Sequence, residues 1–365
     1  ASMRSIILWA FISFVLICLA SNARSPMGWR GYGQGHYPKA TPPFAWGPEE
    51  NIVWKTATRQ WSNASPVIAG GQLFVCAEPG TLICLDRDSG TVRWQRSLAY
   101  PDLVPPADRE RVQAQCAQAK QINDRMQRLI RQRNQAKRQL DKMRKAEQGK
   151  GQASINPADA AEFEKKMAAL SSEIRPLRQE LEPLQQWLEP PTHGGNGYTS
   201  ATPVTDGTHI YVVYGTGIVA AYDLDGNRQW ARVLEKPKHS WGHSASPVIA
   251  AGKLIVHIQE LTALDPATGT TLWTQSLPPH WGSPVITRID GREIIVTPGG
   301  DLVRANDGLV LARNLAPLAY CAPIIDNGIA YFIQHGGKAV RLPATADGST
   351  KPEVLWTTKP HNDRY

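Results

Sequence analysis

No CxxC and no HExxH occurs anywhere in the 365 residues, so the spacings that most often mark zinc and redox sites are absent. Cysteine is scarce: Cys18, Cys76, Cys84, Cys116 and Cys321 are the full set, and no two are adjacent. No apolar run is long enough for a spanning helix either. The longest, Ile6 to Ala20, has about 15 residues where a bilayer needs ~20. Phenylalanine is also sparse, with 6 copies against 12 tryptophans. That inversion gives Trp a repeated structural task.

What is present at the N-terminus reads as an export signal. Arg4 supplies the positive start, Ile6 to Ala20 the apolar centre, and Ser21-Asn22-Ala23 a small-x-Ala cleavage site. Residues 1–23 are therefore expected to be a signal peptide, with the mature protein periplasmic or secreted; Ile17 is too large for a lipoprotein box before Cys18. In an oxidising compartment Cys76 and Cys84, flanking the Glu78-Pro79-Gly80 turn, are open to two readings: a disulfide across a hairpin, or two small apolar strand residues.

A repeat organises most of the chain. A small or polar residue, then Pro and an aliphatic β-branched run, recurs at Ser65-Pro66-Val67-Ile68, Thr202-Pro203-Val204, Ser246-Pro247-Val248-Ile249, Ser283-Pro284-Val285-Ile286 and Ala322-Pro323-Ile324-Ile325. Apart from one long gap the spacing is about 37 to 44 residues. A Gly turn and a β-rich run follow each opening, and a second apolar run with Asp, Gly and Trp closes the unit. Four short strands per repeat predict a propeller blade.

The closing segment is the most specific signal. Ala263-x-Asp265-x-x-Thr268-Gly269-x-x-x-Trp273 resembles the tryptophan-docking motif of pyrroloquinoline-quinone (PQQ) propellers at every defining position. Cys84, Asp86, Ser89, Gly90 and Trp94 keep the spacing, and Ala221, Asp223, Gly226 and Trp230 keep it with one residue deleted. The resemblance extends to Gly28-Trp29-Arg30-Gly31 and Asn51-Ile52-Val53-Trp54-Lys55, which look like the opening of exported PQQ-like propeller proteins of the planctomycete type. The repeats are also similar to those of the propeller lipoprotein of outer-membrane barrel assembly. The resemblance implies an all-β fold of four-stranded blades in which Trp94, Trp230 and Trp273 dock between blades, with Gly90, Gly226 and Gly269 permitting close approach of an indole ring.

Five blades can be counted, closing near Trp94, Trp230, Trp273, Ala312 and Trp356. Ile52 to Thr56 is then an orphan outer strand, and the arithmetic leads us to expect a C-terminally truncated propeller of six to eight blades. Within residues 105–191 the β pattern gives way to a strict three-four spacing: Ala119, Ile122, Met126, Leu129, Arg133, Ala136, Leu140 and Met143, then Phe163, Met167, Leu170, Ile174, Leu177, Leu181, Leu184 and Leu188. An antiparallel coiled-coil hairpin with a turn at Gly149 to Gly151 is expected, its second helix opened by Asn156-Pro157 and kinked or ended by Pro176 and Pro183. Residues 24–104 form the N-terminal segment and first blade, and 192–365 the remaining blades. From Asp108 to Gln148 there are 12 Lys or Arg against 5 Asp or Glu, most of the chain's net charge of +8. A solvated hairpin whose arms attract one another accounts for this better than a nucleic-acid surface.

The segments before each opening are rich in aromatic, His and Asn residues: Trp61 and Asn63; His193, Asn196 and Tyr198; Trp241 and His243; His280 and Trp281; Tyr320. Repeat symmetry places them on one face, where they would line the channel mouth and grip a ligand, or else pack between blades as loop residues. The favoured reading is a non-catalytic exported scaffold for a protein or envelope polymer, near a membrane, with no nucleic-acid partner, cofactor or metal. The alternative is a PQQ-dependent quinoprotein dehydrogenase. The resemblance implies that such an enzyme would hold PQQ and Ca²⁺ over the channel, with a catalytic Asp and often a vicinal disulfide. Its calcium ligands and base find no matching positions here, and a Cys-Cys pair is missing. A hydrolase built from the same histidines lacks a recognisable nucleophile.

Overall fold

The computed structural model describes residues 27–31, 35, 37, 40–149, 157–316 and 318–359. The expected signal peptide at 1–23, the hairpin turn beyond Gly149, and Asn156 lie outside the described residues.

Among the described residues the strands form five antiparallel sheets, each made from four consecutive strands. In order they are β1 to β4 (Val67–Ala69, Gln72–Ala77, Thr81–Asp86, Val92–Ser97), β5 to β8 (Val204–Thr205, His209–Val213, Ile218–Asp223, Arg228–Val233), β9 to β12 (Val248–Ala250, Lys253–His257, Leu261–Leu264, Thr271–Gln275), β13 to β16 (Val285–Ile289, Arg292–Val296, Leu302–Arg304, Val310–Ala312) and β17 to β20 (Ile324–Asp326, Ile329–Ile333, Gly337–Arg341, Glu353–Thr357). These are the blades of a β-propeller. The core lies largely between neighbouring sheets: Tyr211, Leu254 and Leu264 pack together, as do Ile255, Ile295 and Val303. The two middle strands of a blade are covered on both faces, which is why β7 (Ile-Val-Ala-Ala-Tyr-Asp) is a continuous apolar run rather than an alternating one.

Tryptophan joins one blade to the next. Trp94 Nε1 donates to Leu224 O at 3.0 Å, Trp230 to Pro266 O at 2.8 Å and Trp273 to Ala305 O at 3.1 Å. Each ring lies on a glycine of the following blade: a Cβ built on Gly226 would meet Trp94 at 2.7 Å, on Gly269 Trp230 at 2.5 Å, and on Gly308 Trp273 at 2.9 Å. The ring each glycine receives is therefore the preceding motif's, not its own. The three rings are half-buried, because they stand on outer strands with one face toward solvent. Trp54 completes the series: it lies on Gly90 and donates to Arg87 O, while Thr56 Oγ1 donates to Gly90 O. Residues 52–56 thus take the place of an outer strand before the first blade, although no β-pairing is formed there.

Cys76 and Cys84 are buried, free thiols. The β2–β3 register pairs Cys76 with Leu82 and Cys84 with Phe74, so the two cysteines are not opposite one another. Burial pushes the Cys76 thiol up to about 12 and the Cys84 thiol to about 11. Of the two readings left open by the sequence, the small apolar strand residue is the one the register supports.

The chain divides into two compact units: the strands belong to Ala1–Leu98 with Pro190–Tyr365, and the helices to Ala99–Glu189. The helical unit begins earlier than residue 105, because the short 3-10 turn Tyr100–Leu103 packs on the first helix with Tyr100 buried. Helices α1 (Arg109–Gly149) and α2 (Pro157–Leu181) lie together, burying Ala119, Ile122 and Met126 against Ile174, Leu177 and Leu181. Pro176 is carried inside α2; Pro183 lies in the 3-10 turn Glu182–Trp187 that ends the helix.

Candidate functional site

The residues before each Pro opening are stitched from blade to blade. Asn63 Nδ2 donates to Gly195 O at 2.9 Å, Asn196 Nδ2 to Trp241 O at 2.7 Å, Ser244 Oγ to Trp281 O at 2.9 Å, and the Trp281 amide to Ala319 O at 2.9 Å. A second ladder runs through the openings themselves. Ser65 N donates to Thr202 Oγ1, Thr202 N to Ser246 Oγ and Ser246 N to Ser283 Oγ, each at 3.0 Å. The hydroxyls before Pro203, Pro247 and Pro284 are therefore inter-blade acceptors, and the ladder stops at Ala322, which has none. All ten sequence candidates fall on this one arc.

His243 and His280 are drawn inward, and the other eight divide into two groups. Asn63 and Asn196 spend their amides on backbone carbonyls, Tyr198 OH donates to Pro190 O, and Trp281 Nε1 reaches Gly242 O. Glu78, not anticipated from the sequence, accepts the amides of Tyr198 and Thr199, and a Cβ on Gly197 would strike its carboxyl at 2.4 Å. These groups build the arc. The others present aromatic surface: Trp61 is 45%, Trp241 51% and Tyr320 66% exposed. His193 stacks on Trp241 with centroids 3.9 Å apart, His239 meets Trp281 edge-on at 4.7 Å, and Trp281 stacks on Tyr320 at 5.5 Å. The result is an aromatic row crossing blades two to five. His239, seven residues before Ser246, was missed although His193, nine before Thr202, was not.

Beneath the row lie buried histidines. His243 is sealed in, and its Nε2 has no hydrogen-bond partner among the described residues. Burial, reinforced by the facing His257, lowers it to about 4. His257, also lowered to about 4 by burial, has Nε2 3.4 Å from Leu277 O and lies 6.4 Å from His280 between ring centroids. His280 is lowered as well, chiefly by burial, against the pull of Asp301.

A calcium ion with PQQ needs six or more oxygen ligands, several of them carboxylate. Asp301 Oδ2 is taken by Thr297 Oγ1 and its Oδ1 by Asn314 N, while Glu78 is taken by Tyr198 and Thr199. Among the described residues no three His, Cys, Asp or Glu side chains are grouped as metal ligands. The Asp301 and Glu78 carboxylates are thus both engaged in internal hydrogen bonds. A separate hollow of about 680 Å³ at the turns of blades three and four is lined by Arg288 and Arg304, already paired with Glu293 and Asp307.

The profile of outer membrane protein assembly factor BamB matches residues 45–123 and 257–363, over half of the chain. The chain belongs to that family. Among solved structures, BamB from Moraxella catarrhalis is similar at 13% identity and a TM-score of 0.45, covering 85% of this chain and 67% of that one. A europium-containing methanol dehydrogenase is similar at 10% identity and 0.45, covering 87% and 62%. Quinohemoprotein alcohol dehydrogenase from Comamonas testosteroni is similar at 17% and 0.32, covering 46% and 36%. The chain thus spans less than two thirds of either dehydrogenase. No curated protein matches it in sequence. Family membership accounts for the repeats and their docking tryptophans. It names no ligand for the row.

Proposed function

We propose that this protein is a non-catalytic, exported scaffold whose aromatic row holds an extended segment of an envelope protein. The observation that carries the reading is the division of labour on the arc. The Asn63 and Asn196 amides are consumed by inter-blade bonds, while Trp241, Tyr320 and Trp61 stay exposed, so the surface offers aromatic contact area. A family described by outer-membrane protein assembly supports a protein ligand over a small molecule. Among the described residues no helix is long and apolar enough to cross a membrane. The export signal read from residues 1–23 supports a periplasmic or secreted location.

The test uses fluorescence titration with synthetic β-strand peptides from outer-membrane proteins, and envelope oligosaccharides in parallel. Trp241→Ala with Tyr320→Ala is expected to weaken peptide binding by about tenfold or more, as for aromatic hot spots. Trp356→Ala, which alters an exposed ring on the outer strand β20, should leave it unchanged. Equal affinity of the double variant, or binding of sugars alone, refutes the reading.

A further inference from the structure

Among the described residues most cations of α1 find no ion pair within the hairpin they belong to. Between residues 125 and 145 there are nine Lys or Arg and a single carboxylate, Asp141. The arms were expected to attract one another, yet among the described residues Arg144–Glu164 is the one ion pair joining α1 to α2. The remaining pairs of the helical unit, Arg109–Asp102, Arg111–Asp108 and Lys120–Asp124, lie nearer the start of α1.

Five of these cations share a face. Arg128, Arg131, Arg138, Lys142 and Lys145 follow one another at three, seven, four and three residues, with exposed Gln135 filling the gap, so they form a single row along the helix. Met126, Leu129, Ala136 and Leu140 are in or beside the seam with α2, and the helical period sets the row on the opposite side. All five are exposed and make no ion pair among the described residues. At 1.5 Å per residue the row is ~26 Å long. Like charges three or four residues apart weaken a helix, so the sequence maintains this arrangement against its own helical stability.

We propose that this row docks the protein on an anionic phospholipid surface. The row holds Lys and Arg and no aromatic or apolar anchor. Protein interface cores are built the other way, depleted of Lys and centred on buried aromatic groups. With the apolar residues of α1 spent on α2, the helix has nothing to insert, so adsorption is electrostatic and reversible. A cluster of four to eight Lys or Arg on a helix is the pattern that binds anionic headgroups, each cation adding a similar increment.

The experiment is flotation of the full-length protein with phosphatidylcholine vesicles, with and without phosphatidylglycerol, at low and high salt. The protein is expected to float with the anionic vesicles at low salt, to be released by salt, and to ignore pure phosphatidylcholine. Replacing Arg128, Arg131, Arg138, Lys142 and Lys145 by Gln should reduce binding by about tenfold or more, while replacing Lys165, Lys166, Arg175 and Arg178 of α2 by Gln should not. Circular dichroism checks that α1 persists. If it does not, the milder pair Arg128→Gln and Arg138→Gln decides by the same readout. Undiminished binding of the row variant overturns the proposal. So does binding to polyglutamate with no binding to anionic vesicles, which would make the occupant an acidic protein.

Discussion

Replacing Gly269 by Ala is expected to lower the stability of the propeller by about 4 kcal/mol or more, whereas the same change at Gly348 should cost about 1–2 kcal/mol. Both glycines have left-handed backbone, with φ of +71° and +84°. Both therefore carry the strain that a Cβ brings to that region. They differ in what the new methyl meets. At Gly269 it would lie 2.5 Å from Trp230 Cε3 and 2.7 Å from Cδ2, inside the ring's own van der Waals envelope, while at Gly348 nothing lies within 4 Å. Relief at Gly269 requires moving the indole, which gives up its hydrogen bond to Pro266 O and its packing between blades two and three. Urea unfolding of the two variants measures the difference. Equal costs would mean that the rings rest on these turns without holding them.

The repeat was legible because each of its residues answers a local demand. Pro opens the inner strand, Gly supplies positive φ in the outer turn, and Asp caps that turn, as when Asp223 Oδ1 accepts the amides of Asp225 and Asn227. The helical spacing was equally plain, since Ala119 to Leu140 must bury one stripe. What the sequence hid was the partner of each group across blades. Along the chain Gly269 stands four residues from Trp273; the fold sets it against Trp230, from the repeat before. The same blindness concealed Glu78 and the Ser65, Thr202, Ser246, Ser283 ladder, whose bonds span 137, 44 and 37 positions. It also blurred the mouth residues, for Asn63 and Trp241 look alike as loop polar-aromatic positions until one is seen stitched and the other open.

Acidification should unfold the propeller in a window where few proteins change. Between pH 6.5 and 4 its stability is expected to fall by on the order of 5 kcal/mol, most of it from His243 and His257. In the unfolded chain both imidazoles take a proton near the usual 6.5; folded, both resist until about 4. Below pH 6.5 the unfolded state thus binds more protons, so stability is complete above 6.5 and drains as pH falls toward 4, levelling off once the folded imidazoles also charge. Burial is the main cause. His257 adds to it at His243, while His280 opposes and Asp301 favours a charge on His257. Carboxylates act elsewhere on the scale: Asp86 is held well below its usual range, first by the Arg93 guanidinium and then by Ser89, and Asp347 by Ser349, so their contribution is lost only below about pH 4. Urea midpoints from pH 7.5 to 3.5 separate the two ranges. His257→Gln should abolish about half of the fall above pH 4, whatever it costs at pH 7.5. A midpoint that stays flat down to pH 4.5 and then drops would show that the carboxylates alone set the acid limit, and that the two imidazoles charge without opening the fold.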